Sequence, residues 1–76
     1  MKILVKSVTD IGGAIRSRRK GDGLTLVDAA GLCNVNYRFL SNLENGKPTV
    51  RLDKVLQVLA ALVLEFEIKE RTWPNE

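Results

Sequence analysis

The sequence predicts a mainly α-helical domain of four to five short helices, closed by a short β-strand. Three observations carry that expectation. Between residues 9 and 62, four runs place apolar residues at helical spacing. Each run opens on a residue able to cap a helix, and the first three close on glycine. After Val63 the apolar period shortens to two, which is a strand's period.

Thr9 or Asp10 offers the first N-cap, followed by Ile11, Ala14, Ile15 and Arg18 on one face, and Gly21-Asp22-Gly23 ends the helix. Thr25 caps a short second helix with Leu26, Ala29 and Ala30 inward; Gly31 lies near its end, and Leu32 to Val35 connect onward. Asn36 caps a third helix, Tyr37 to Asn45, whose inward residues are Leu40 and Leu43 and whose C′ residue is Gly46. Pro48-Thr49 opens a fourth, with Thr49 as cap and Leu52, Val55, Leu56, Leu59 and Leu62 as its apolar stripe. Leu64, Phe66 and Ile68 then alternate with Glu65, Glu67 and Lys69, giving a strand with one apolar and one charged face. Met1, Ile3 and Val5 alternate similarly with Lys2 and Lys6, a frayed terminus being the alternative reading. The expected organisation is one domain over 1–76: a helical core at 9–62, a strand at 63–70 and a tail at 71–76.

Size and composition bound the function. A chain of 76 residues buries only about 60% of the surface its unfolded form exposes, so its core is marginal. There is no histidine and one cysteine, Cys33. That composition excludes an internal disulfide and offers no plausible zinc site or Cys-His nucleophile. Cys33 reads as a small residue packed in the turn. No paired carboxylates form a recognisable site, and Gly12-Gly13 and Gly21-Asp22-Gly23 do not match a nucleotide-binding fingerprint. The chain reads as a binding protein without metal or cofactor, and not as an enzyme. Its longest apolar stretch, Val58 to Leu64, is far shorter than the roughly 20 residues a membrane span needs. A soluble, cytoplasmic protein is expected.

The net charge of +3 conceals an asymmetry. Residues 1–51 hold nine Lys or Arg against four acids, whereas residues 52–76 hold three against five. A basic front half is the footprint of a phosphate-backbone binder, although an ordinary solvated surface carries such charge as well. Two short capped helices, Thr25–Gly31 and Asn36–Asn45, joined by about four residues, make a helix-turn-helix, in which the second helix enters the DNA major groove. A generic small helical bundle would share the caps and apolar faces.

Arg19, Leu24-Thr25, Ala29-Ala30, Val35-Asn36, Leu40-Ser41 and above all Asn42-Leu43-Glu44-Asn45-Gly46-Lys47 resemble the Cro/XRE-type helix-turn-helix of phage and bacterial repressors. The resemblance runs from about Ile11 to Leu62. Leu26, where that family often has glutamine, departs from it, as does the looser Gly21-Asp22-Gly23 turn. The resemblance implies a lambda-repressor-like fold and a transcriptional regulator bound to double-stranded DNA. A strand directly after the fourth helix is most similar to HipB-type antitoxins. For that subfamily the resemblance implies a homodimer paired through C-terminal strands, a palindromic operator, repression of its own operon, and a HipA-type toxin kinase as partner. A stand-alone regulator, or an interaction module without DNA, are the competing readings.

The third helix assigns the site. With Leu40 and Leu43 inward, Tyr37, Arg38 and Asn42 are the expected base contacts, Arg38 matching guanine and Asn42 adenine. Phe39 stays open between the core and the groove. Thr25, Asn36, Ser41, Lys47 and Arg51 are the expected phosphate contacts. Arg19 and Glu44 are expected to form a partly buried ion pair between the first and third helices, as their matching positions do in the resembled family. Leu64, Phe66 and Ile68 are expected at the dimer interface. Trp73 reads equally as a toxin-facing anchor, a dimer-packing residue or part of a tail.

Overall fold

A computed structural model describes residues 4–68 and 70, in the order α1 (Val8–Gly21), α2 (Leu26–Cys33), α3 (Tyr37–Glu44) and α4 (Leu52–Ala61). Trp73 and the tail 71–76 lie outside the described residues, as do Lys69 and residues 1–3 of the N-terminal alternation. α1 packs on α3, α3 on α2, and α2 on α4. Their inward residues meet in one core of Ile15, Ala29, Ala30, Cys33, Leu40, Leu43, Val55, Val58, Leu59 and Leu62. Ala29 and Ala30 are buried where the helices cross, because small side chains let backbones approach.

Four helix ends use one device. In each, paired backbone bonds of the Schellman type close the last turn around a residue in the left-handed region. Those residues are Gly23, Asn34, Gly46 and Val63. Gly23 N–H donates to the Lys20 carbonyl and Leu24 N–H to that of Arg19, both at 3.0 Å; Val63 and Leu64 bond to Ala60 and Leu59 in the same pattern. Glycine and asparagine enter this conformation readily, whereas β-branched Val63 (φ 57) holds it at a cost of about 1–2 kcal/mol.

Several expected boundaries move. α1 is capped by extended Ser7, not Thr9 or Asp10, because the Asp10 carboxylate reaches back to the Lys6 N–H at 2.8 Å. Arg18 is exposed and pairs with Asp22 at 3.1 Å, so the inward residue on that turn is Arg19. α2 continues through Gly31 to Cys33, and Asn34 supplies its left-handed cap. α4 begins at Leu52 behind extended Arg51, not at Thr49, since Val50 packs against the core before the helix starts. Its buried face is Val55, Val58 and Leu59; Leu52 and Leu56 of the expected stripe are exposed. Among the described residues none forms a β-strand, including 64–68. A strand exists only against a neighbour with which it exchanges backbone bonds. Leu64 turns back onto the core, leaving Phe66 and Ile68 exposed.

α1 carries two adjacent glycines, and the structure separates them. A Cβ at Gly12 would collide with the Leu43 carbonyl oxygen and lie 2.9 Å from that of Glu44, whereas at Gly13 it would meet nothing within 4 Å. Gly12→Ala should therefore destabilise the chain by about 1–3 kcal/mol through overpacking. Gly13→Ala should stabilise it by ~0.5–1 kcal/mol through helix propensity. Urea denaturation of the two single variants checks the opposite signs.

Candidate nucleic-acid interface

α2 and α3 are eight residues each, too short to stand alone, so their ends and contacts define them. At α2, Thr25 Oγ1 accepts from the Asp28 N–H at 3.1 Å and the Asp28 carboxylate accepts from the Thr25 N–H at 3.3 Å, a capping box. At α3, Asn36 Oδ1 accepts from the Arg38 N–H at 2.6 Å. No acidic residue stands in the first turn of α3, so the positive end of its dipole is uncompensated there.

Two tertiary ties hold this helix pair. Arg19 Nε donates to Glu44 Oε2 at 2.7 Å and its Nη2 to Oε1 at 2.9 Å, a bidentate pair linking α1 to the end of α3. Arg19 Nη1 also donates to the Leu24 carbonyl at 2.9 Å, which fixes the chain just before the α2 cap. The hydrogen bonds that Arg19 donates to Glu44 raise the Arg19 pKa above its ordinary value, outweighing the opposing effect of burial. On the other side, Gln57 Nε2 of α4 donates to the carbonyls of Cys33 at 2.8 Å and Asn34 at 3.0 Å. Cys33 is buried at the end of α2, and burial pushes its thiol pKa up.

Tyr37 and Arg38 stand exposed at the open end of α3, while Asn42, one turn on, is half-buried. Ser41 is half-buried beside it, and Phe39 packs back against the core. Thr25 and Asn36 are exposed at the two helix N-termini. The Thr25 hydroxyl oxygen is engaged in its cap, but a hydroxyl that accepts can still donate its hydrogen. Lys47 is exposed just past Gly46, with its N–H bonded to the Asn42 carbonyl at 3.0 Å. Arg51 lies against Asp53 at 2.7 Å on the open surface and holds that carboxyl below its usual range. A pair that exposed is worth little, so Arg51 can exchange Asp53 for another anion. Sequence alone assigns no packing role to Gly12 and no tie to Gln57. The available signals were a lone amide within the apolar run of α4, and a Gly-Gly pair inside a helix.

The chain is 42% identical over 64 residues, 84% of each chain, to the uncharacterized HTH-type transcriptional regulator y4mF of Sinorhizobium fredii. It belongs to the HTH-type transcriptional regulators. A solved HipB-O4 20mer complex superposes on 91% of the chain and 97% of its own, with a TM-score of 0.79 at 22% identity. The HipA-HipB-O2-O3 complex gives the same values. The fold is thus HipB-like, in keeping with the Cro/XRE-type motif. No protein-family model matches the chain. No helix among the described residues is long and apolar enough to cross a membrane.

The Arg19 and Glu44 side chains are only 9% and 5% exposed. Removing one charge from so buried a pair strands the other, at a cost of ~3–5 kcal/mol. Glu44→Gln should lower the unfolding free energy by that order. The double variant Arg19→Met/Glu44→Leu should lose less than Glu44→Gln alone, because no unpaired charge remains. Chemical denaturation of the three chains measures both effects.

Proposed function

We propose that the chain is a sequence-specific DNA-binding repressor that acts as a homodimer, and that it is a HipB-like antitoxin repressing its own operon. The observation that carries the DNA reading is α3. Its buried side is Leu40 and Leu43, its N-terminus is free of acids, and Tyr37 and Arg38 project from the exposed face. In this reading Arg38 takes guanine, Asn42 takes adenine and Tyr37 meets a thymine methyl. Thr25, Asn36, Ser41, Lys47 and Arg51 hold phosphates and set register. Double-stranded DNA with two symmetric half-sites is the partner, in the cytoplasm.

The dimer reading rests on apolar surface that a single chain leaves uncovered. Leu52, Leu56 and Val63 are exposed along α4 and its end, and Phe66 (45%) and Ile68 (86%) are exposed in the segment that follows. A strand at 63–70 would find its missing neighbour in a second copy, which also removes an open sheet edge. In this reading the helical core 9–62 and that strand make one domain, followed by the tail. Leu64, Phe66 and Ile68, which a strand sets on one face, make the dimer interface, Leu64 at the side where that face also meets its own core. The toxin reading is supported by the HipB-like fold and by the assembly of a HipB neighbour with HipA. A stand-alone regulator is the second reading, favoured by the regulator relative, for which no toxin is named.

Two experiments test these readings. Binding over a randomised duplex library at two salt concentrations should show Arg38→Ala and Asn42→Ala each losing ~1–3 kcal/mol on the selected sequence, with relaxed preference at one base per half-site. Lys47→Ala should weaken all sequences alike and reduce the salt slope by about one. Equal losses on selected and random DNA for Arg38→Ala would make Arg38 a phosphate contact instead. Deleting residues 63–76 should give a monomer or an insoluble chain by sedimentation; a truncated chain that stays a tight dimer refutes the strand interface.

A further inference from the structure

Gln57 belongs to α4, outside the helix pair that faces DNA, yet its amide reaches the turn between those helices. One NH2 group donates to two carbonyls in sequence, Cys33 at 2.8 Å and Asn34 at 3.0 Å. The first ends α2, where carbonyls have no partner inside the helix. The second belongs to the left-handed residue that reverses the chain, Asn34 with φ 56 and ψ 45. Two residues later Asn36 caps α3 through its bond to the Arg38 N–H. Between the Gln57 contact and the first residue of α3 only Val35 and Asn36 intervene, and Val35 is itself packed against the core. The amide therefore holds the backbone from which α3 departs.

We propose that Gln57 is a positioning residue: it sets the angle between α2 and α3 and thereby the base-reading geometry of Arg38 and Asn42. The proposal rests on the DNA reading above. An eight-residue helix is about 12 Å long and Arg19 clamps its far end, so a tilt of roughly 5° about that end moves its first turn by about 1 Å. Bidentate base contacts do not tolerate such a shift, whereas attraction to phosphates does. Because Gln57 is exposed and its bonds are neutral, its removal costs the fold little; the expected loss is in discrimination.

The test uses the full chain carrying Gln57→Met, which keeps length and helix propensity but has no hydrogen to donate. The probes are the duplex that the unsubstituted chain selects from a randomised library and a scrambled duplex of equal length. Both are titrated at one salt concentration, at a temperature where melting curves show every variant folded. Affinity for the selected duplex should fall about fivefold while that for the scrambled duplex stays within about twofold, the scale of one neutral hydrogen bond. Gln57→Glu, whose carboxylate faces two carbonyls with no proton to share, should reduce the ratio of the two affinities further. Equal losses on both duplexes, or no loss on either, overturn the proposal. Amide NMR of the free chain supplies a second reading without DNA. Gln57→Met should shift the resonances of residues 36–42 and leave the first two turns of α1 in place. Unshifted α3 resonances overturn the positioning role by themselves. Loss of all preference in the unsubstituted chain would instead refute the DNA reading.

Discussion

Arg19 holds three acceptor oxygens on two parts of the chain with one guanidinium: both Glu44 carboxylate oxygens at the end of α3, and the Leu24 carbonyl before α2. No apolar contact could do the same, because packing is non-directional whereas a planar fork aims its donors. Buried charge is expensive, and here the bidentate geometry and the third hydrogen bond offset that cost. The arrangement is also incompatible with slippage, since moving α3 by one residue would strand both charges. α1, α2 and α3 are thus held in one relation, on which the exposed face of α3 depends.

The second constraint is how closely the backbones approach. Gly12 lets α1 press against the carbonyls that end α3, and Gly46 makes the left-handed turn beside Thr9. Both contacts gather at the end of α3 where Arg19 meets Glu44. The other end of α3 is held differently, through Asn36 and the turn that Gln57 bonds from α4. A short helix clamped at both ends by different elements can present Tyr37 and Arg38 without spending its own residues on internal stability.

The C-terminal third behaves unlike the first two. α4 buries Val55, Val58 and Leu59 and exposes Leu52 and Leu56. Val63 then accepts a left-handed backbone while 78% exposed, so its strain is offset by the hydrogen bonds that close the turn and by the packing of Leu64, not by any packing of its own. Small domains have little core to spare, and apolar surface left outside it is the usual signature of association. Here Leu52 and Leu56 of α4 and Phe66 and Ile68 after it are all left exposed, which is why the fold and the proposed dimer are one question.

The four helices, their capping residues Thr25 and Asn36 and the inward pair Leu40 and Leu43 were legible in the sequence, because caps and helical periodicity are local and each residue type carries its own preference. The outward set on α3 followed from that periodicity, since a helix with a known inside has a known outside. What tertiary structure decided was non-local. Asp10 reaching back to Lys6 set the start of α1, Val50 reaching the core delayed α4, and Arg19 rather than Arg18 turned inward. Gly12 and Gly13 look alike in sequence, yet only the first lies against another backbone. Gln57 looks like a solvent-facing interruption of an apolar run, and only the fold brings it to Cys33 and Asn34, more than twenty residues away. Alternation at 64–68 marked two faces, but a strand is a relation between segments, so its pattern is local while its hydrogen bonds are not. Which segments are helices and which faces are apolar could be read along the chain, because both depend on neighbours within one turn. Tertiary structure alone decided that Gly12 and the Gln57 amide hold the helices together, because those contacts join residues that the chain keeps far apart; the Arg19–Glu44 pair was foreseen only through the family resemblance.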